Sequence, residues 1–298
     1  MKKGYYIALL ASLLLITSGS KAQNVFNLWD GMGVSQWKFM PPCLTVYAAN
    51  STNNTHVAVI ICPGGSYHHL LGIKEEGYDV AKWFQNQGIN AFVLRYRVGF
   101  WGFHHPAMIE DLQRSIQFVK ENAQNWGIDT TKVGLIGFSA GGHLVASGGT
   151  FYNEDYLLPL GIKPKVSLRP NFVVPVYPVI SMQDSIAHKR SRKNLLGANY
   201  SKEQEDKMSL EEHINPDEPP TMVVVTKDDP VVDWRNGYYY YINLHKAGVT
   251  CKLLLNEKGG HGFGIDQKKG GKAALWNVEC IKWLHEIGIL PFYLSSSK

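Results

Sequence analysis

Val133-Gly134-Leu135-Ile136-Gly137-Phe138-Ser139-Ala140-Gly141-Gly142-His143-Leu144-Val145-Ala146 decides the fold. It opens as an apolar run of strand length, turns through Gly-x-Ser-x-Gly, and continues into residues that start a helix. A serine at such a turn sits in cramped backbone, so its neighbours must be small enough not to collide with strand and helix. The helix start also points backbone N–H groups, and the positive end of its dipole, at any negative charge developing beside the serine. Small residues can also serve only to pack a strand on a helix. The strand-turn-helix setting favours the nucleophile reading, with Ser139 as the reacting group.

Outward from this turn, short apolar runs alternate with helical patterns, as βαβ units with a mostly parallel sheet require. The runs are Val57 to Cys62, Ile89 to Tyr96, Lys132 to Phe138, Asn171 to Tyr177, Thr221 to Thr226 and Cys251 to Leu255. Val80, Trp83 and Phe84 mark one helix that Gly88 closes; Met108, Leu112, Ile116 and Val119 mark another after Pro106. Helices over about 233–247 and 272–287 fill the last crossovers. The rhythm breaks at 181–220, a polar stretch with His188-Lys189-Arg190 and a Glu-rich run from Glu203 to Glu212. It reads either as a solvated helical excursion or as a cap over a substrate site.

Serine needs a base, and the chain holds 11 histidines. His261 is distinguished by position, in Gly259-Gly260-His261-Gly262-Phe263-Gly264 just after the Cys251 run. A glycine-rich loop there brings an imidazole over the C-terminal edge of the sheet, where ligands bind in open α/β folds. The base needs an acid to orient it. Asp229 follows the Thr221 run and precedes Pro230, which stiffens its loop; Asp228 is its rival. Ser…Asp…His is then the chain order. Pro63-Gly64-Gly65-Ser66 follows the first strong strand, where the amides of Gly65 and Ser66, with that of Ala140, are placed to hold an oxyanion.

Lys2 and Lys3, an apolar run from about Tyr5 to Ile16, and Ser20-Lys21-Ala22 read in order as a cleavable export signal over residues 1–22. The expected location is therefore secreted or periplasmic, with residues 23–298 as one catalytic domain. Processing lowers the net charge from +5 to +2, a balance that suggests no nucleic-acid or membrane partner. Cys43, Cys62, Cys251 and Cys280 sit in strand-like or helical apolar settings and read as small buried hydrophobes, although export also admits disulfide pairing.

Ile61 to Tyr67, Leu94-Arg95-Tyr96-Arg97, Gly137 to His143, Asp228 to Val232 and Gly259 to Gly264 together resemble the acetyl esterase/lipase branch of α/β-hydrolases. Within it they are most similar to exported carbohydrate esterases of the acetylxylan-esterase type. The resemblance runs from about Val46 to Trp283. It implies an α/β-hydrolase fold, with Ser139 as nucleophile, Asp229 as acid, His261 as base and oxyanion donors at Gly65, Ser66 and Ala140. It also implies hydrolysis of short acyl esters, acetyl above all, on an acylated carbohydrate such as xylan or on small esters, without a cofactor. The chain departs from the hormone-sensitive-lipase-like group, which has His-Gly-Gly-Gly where this chain has Pro63 to Ser66, and from the many relatives with Val-Pro at Val232-Asp233. A general carboxylesterase, a feruloyl esterase and a non-catalytic sugar-binding protein on the same fold are the alternatives.

His68-His69 and His104-His105 lack the converging partners of a metal site. His104, His105 and Trp101 are instead expected near the pocket mouth, and Asp111 as an acid at a helix start.

Overall fold

The computed structural model describes residues 24–30 and 41–291. The segment read as an export signal, residues 1–22, lies outside them.

Eight strands among the described residues form one sheet. They are β1 (Asn24–Asn27), β2 (Cys43–Tyr47), β3 (Ala58–Cys62), β4 (Asn90–Arg95), β5 (Val133–Phe138), β6 (Val173–Val176), β7 (Thr221–Thr226) and β8 (Cys251–Asn256), in the spatial order β1-β2-β4-β3-β5-β6-β7-β8. β1 with β2 and β2 with β4 are antiparallel, and every other pairing is parallel. The chain thus starts at one edge, crosses to the centre at β3 and β5, and winds out to β8.

The apolar runs are continuous because the central strands are buried on both faces. The pleat sends alternate residues to opposite sides. Ala58, Ile60 and Cys62 join Leu112, Ile116, Leu144 and Tyr240 in one core, under α2 (Ala107–Glu121), α3 (Ala140–Thr150) and α6 (Arg235–Lys246). Val57, Val59 and Ile61 join Val80, Phe84, Trp276 and Trp283 in the other, under α1 (Asp79–Asn86) and α7 (Trp276–Glu286).

The 181–220 excursion is docked rather than solvated. It contains α4 (Lys189–Leu196) and α5 (Lys202–Lys207), and it sends Met182, Leu195, Leu196, Met208 and Leu210 into the first core. Asn236 fastens its root by accepting from the N–H groups of Ile180 and Ser181 and donating to the Ile186 carbonyl. Most of its charges lie on its outer side; buried Arg192 reaches the mostly buried Glu205 and the exposed Asp184.

Asp111 is not at a helix start. Pro106 sets the start of α2 at Ala107, which puts Asp111 one turn in, fully buried. There it accepts from Trp29 Nε1 at 2.7 Å and from the Arg97 backbone and guanidinium. All four cysteines are free; Cys251 is only partly buried, the other three fully.

Candidate active site

Ser139 stands between β5 and α3 with φ at +54°, a conformation that strains any residue with a side chain. The turn is tight enough to require both flanking glycines. A Cβ on Gly137 would lie 2.1 Å from the Gly141 carbonyl oxygen, and one on Gly141 would lie 2.1 Å from that of Cys62. Three backbone bonds hold the strained residue: its N–H donates to the Val176 carbonyl, and its own carbonyl accepts from Val179 and His143.

The glycine loop after β8 brings His261 across to this serine. His261 Nε2 lies 3.0 Å from Ser139 Oγ, and His261 Nδ1 lies 2.6 Å from Asp229 Oδ2. A carboxylate only accepts, so the proton sits on Nδ1 and leaves Nε2 as the acceptor for the serine hydroxyl. Asp229 is nearly buried, and its other oxygen accepts from the N–H groups of Val231 and Val232. Asp228 has a different place: it accepts from the Gly260 N–H, and Lys258 lies 3.8 Å away. Asp229, not Asp228, is therefore the carboxylate on the imidazole.

Gly64, Gly65 and Ser66 line a cavity of about 340 Å³ together with Ser139 and His261. Gly65, Ser66 and Tyr67 all have positive φ, which folds the chain after β3 into a tight concave turn. Ala140 is the first residue of α3, so its N–H has no carbonyl partner within the helix. The three amides expected as oxyanion donors thus flank the serine on two sides.

Several residues of the site carried no signal in the sequence. Glu76 is buried and lines the same cavity; it accepts from the Gly64 N–H at 2.8 Å and from the Tyr177 hydroxyl at 2.9 Å. Burial pushes its carboxyl above the ordinary value against the pull of these two donors. The Tyr177 ring packs 4.7 Å from the His261 ring, centre to centre. Tyr67 donates to His143 Nδ1, so His143 Nε2 keeps its proton and donates to the Met208 carbonyl. Burial lowers His143 to about 4, which keeps it neutral in this role. Asn194 of the excursion donates to the Ser66 carbonyl at 2.9 Å. The one available hint was that Tyr177 ends a strand on the site's edge of the sheet.

Trp101 lines a separate, mostly apolar cleft with Phe100, His68, His69 and Arg190. His104 and His105 do not. His104 Nδ1 bonds to the Asn194 carbonyl, and the His105 ring packs against Tyr156, because the chain turns inward before Pro106. Among the described residues, no three His, Cys, Asp or Glu side chains converge as a metal site needs. Nor is any helix among them long and apolar enough to cross a membrane.

Comparison with known proteins places this geometry in context. The BD-FAE family profile matches residues 44–243. An acetylxylan esterase from Xylanibacter ruminicola is 33% identical over 269 residues, 86% of this chain and 50% of that protein. Endo-1,4-beta-xylanase B from Butyrivibrio fibrisolvens is 31% identical over 70% of this chain and 32% of its own. This chain therefore spans half or less of the length of these two relatives. Among solved structures, an acetyl ester-xyloside bifunctional hydrolase from Caldicellulosiruptor lactoaceticus superposes with a TM-score of 0.81 at 32% identity, over 90% of this chain and 97% of that one.

Proposed function

This chain belongs to the BD-FAE family, and on that premise we propose that it is a serine esterase that removes short acyl groups, acetyl first among them, from xylan or related oligosaccharides. The observation that carries the proposal is the hydrogen-bonded row Asp229–His261–Ser139 at the C-terminal strand ends.

In the proposed cycle His261 Nε2 takes the Ser139 proton as Oγ attacks the ester carbonyl. Asp229 holds the imidazole in one tautomer and stabilises its cation. The amides of Gly65, Ser66 and Ala140 receive the oxyanion, each donor supplying about 3–4 kcal/mol of transition-state stabilisation. The imidazolium protonates the departing alcohol; water, deprotonated by the same nitrogen, then cleaves the acyl-enzyme. No step calls for a cofactor.

The carbohydrate part of the proposal rests on the names of the relatives, and the small cavity beside Ser139 agrees with a short acyl group. Export would bring such an enzyme to its polymer, and the basic-apolar-small order of residues 1–22 supports it. The test is p-nitrophenyl acetate hydrolysis by the chain and by Ser139→Ala. The variant is expected to lose at least about 10³-fold in kcat. Equal rates would end the esterase reading. Acetate release measured against ferulate release from native xylan then separates the acetyl proposal from a feruloyl esterase.

A further inference from the structure

The segment Lys74–Tyr78, a single wide π-helical turn leading into α1, lies between the two loops that frame Ser139. Such turns recur where a helix must place a functional side chain. On one side is Gly64, whose added Cβ would meet Glu76 Oε2 and Ser139 Cβ, each at 2.9 Å. On the other is Gly264, where a Cβ would lie 2.6 Å from the Glu75 carbonyl oxygen. One chain of hydrogen bonds joins the two loops through this segment. The Gly264 N–H donates to the Tyr177 hydroxyl at 3.0 Å, that hydroxyl donates to Glu76 Oε1, and Glu76 Oε2 accepts from the Gly64 N–H.

With Glu76 ionised, the protons in this chain have one arrangement. Both amides can only donate. The tyrosine oxygen is taken up by Gly264, so its hydrogen must go to Glu76, and Glu76 accepts on both oxygens. A carboxylate at position 76 satisfies the whole chain with one acceptor oxygen for each donor. A buried carboxylate is a costly way to fill space beside a cavity that must receive negative charge. An apolar residue would pack there at less cost, unless the carboxylate's two acceptors are what the position requires.

We propose that Glu76 is a positioning residue: through Gly64 and Tyr177–Gly264 it fixes the oxyanion turn and the His261 loop relative to each other, so that the donors and the base meet one substrate carbonyl. This rests on the esterase reading above. Misplacing a reacting group by about 1 Å costs on the order of 10²-fold in rate, which sets the size of the effect.

The test has two arms in the full chain. The first is amide hydrogen exchange at Gly64 and Gly264, which needs no substrate. Glu76→Gln is expected to speed exchange at both amides by about tenfold or more while the strand amides of β5 stay protected. Unchanged exchange at Gly64 would overturn the proposal. The second arm is p-nitrophenyl acetate kinetics. Glu76→Gln is expected to lower kcat by about 10²-fold with KM within about threefold, the pattern of an interaction felt mainly in the transition state. Tyr177→Phe keeps the ring against His261 and removes only the hydroxyl, so it is expected to act in the same direction. The double variant is expected to cost no more than the worse single one, because both interrupt one chain. Full kcat in Glu76→Gln, or additive losses in the double, would overturn the positioning role. If Glu76→Gln does not fold, Tyr177→Phe decides alone, by exchange at Gly264 and by kcat. An unaltered chain that cleaves no ester ends the esterase reading instead, and the exchange arm still judges the clamp.

Discussion

The two ends of the central strands are built to different standards. Among the described residues, four of the five non-glycine residues with positive φ lie at the C-terminal ends: Ser66, Tyr67, Ser139 and Tyr177; the fifth, His56, precedes β3 at the other end. Three buried polar groups beside Ser139 are fully engaged. Asp229 takes up two backbone N–H groups and an imidazole, Glu76 an N–H and a hydroxyl, and His143 bonds through both nitrogens. At the N-terminal ends, Glu218 precedes β7 and accepts from the Tyr240 hydroxyl on one oxygen only. Its other oxygen and the nearby Thr150 hydroxyl are buried without a completed hydrogen bond among the described residues. Strain persists only where surrounding bonds over-determine it. The groups that hold the strained turns around Ser139 are therefore matched, whereas the Glu218–Thr150 pair at the far edge is not, and Glu211 and Asn277 each leave one further buried oxygen unmatched among the described residues.

The largest effect that can break this contrast is at the acid. Asp229→Asn keeps an oxygen for Val231 and Val232 but turns an amide N–H toward His261 Nδ1, which stabilises the tautomer with its proton facing the serine. On the esterase reading kcat is expected to fall by about 10⁴-fold. Asp228→Asn touches the Gly260 amide and an exposed ion pair with Lys258, away from the imidazole, and is expected to cost less than about tenfold. Steady-state p-nitrophenyl acetate rates for the pair decide it: a loss at Asp228 as deep as that at Asp229 would mean that the 261 loop is remodelled in solution.

How much of this was legible beforehand follows from the same physics. The central strands could be read because burial on both faces turns each into an uninterrupted apolar run, as Val57 to Cys62 shows. β1 had no such signature: it is a short antiparallel edge strand, largely exposed. Ser139, Asp229 and His261 stood out because each follows a strand in a turn that glycines make possible or a proline stiffens. Glu76 did not, since Lys74-Glu75-Glu76 looks like any charged helix start until the fold buries one of its acids. Asp111 was misplaced for a related reason. Its role depends on Arg97 and Trp29, one from the loop before α2 and one from the turn after β1, and no local pattern names such partners. Asn194 belongs with these, a polar residue in a polar helix whose partner is 128 positions away.

A middle-sized effect is expected at the far edge, on stability alone. Burial, first among its causes, pushes the Glu218 carboxyl from about 4.5 up to about 7. The folded state thus holds this proton more tightly than the unfolded chain does. Its contribution is complete below about pH 4.5 and is lost as pH rises through about 7. Glu218→Gln stays neutral, keeps an oxygen for Tyr240, and offers an N–H to Thr150. It is expected to leave stability near pH 4.5 almost unchanged and to raise it by up to about 3 kcal/mol at pH 8. Denaturant unfolding at the two pH values measures it. No gain at pH 8 would mean that water or Thr150 already satisfies the carboxylate, and the two edges would differ less than the structure indicates.

The smallest expected effect asks whether the excursion belongs to the site edge or merely rests on it. Asn194 lies in α4, far from the serine in sequence, yet its amide donates to the Ser66 carbonyl, in the peptide group between Ser66 and Tyr67. Ser66 holds φ at +57° and Tyr67 holds +56°, a strained turn that the His68 and His69 N–H groups also hold by donating to the Gly65 carbonyl. Asn194→Ala removes one hydrogen bond worth about 1 kcal/mol and leaves the Leu195 and Leu196 packing intact. If the excursion acts as a brace for the oxyanion turn, that energy is lost in the transition state, and kcat/KM falls by about fivefold with little change in the unfolding midpoint. If it acts only as a lid or a decorated surface, the loss appears in the midpoint and kcat/KM holds. Comparing the two numbers in one variant separates these roles, because a brace and a cover place the same hydrogen bond on different sides of the activation barrier.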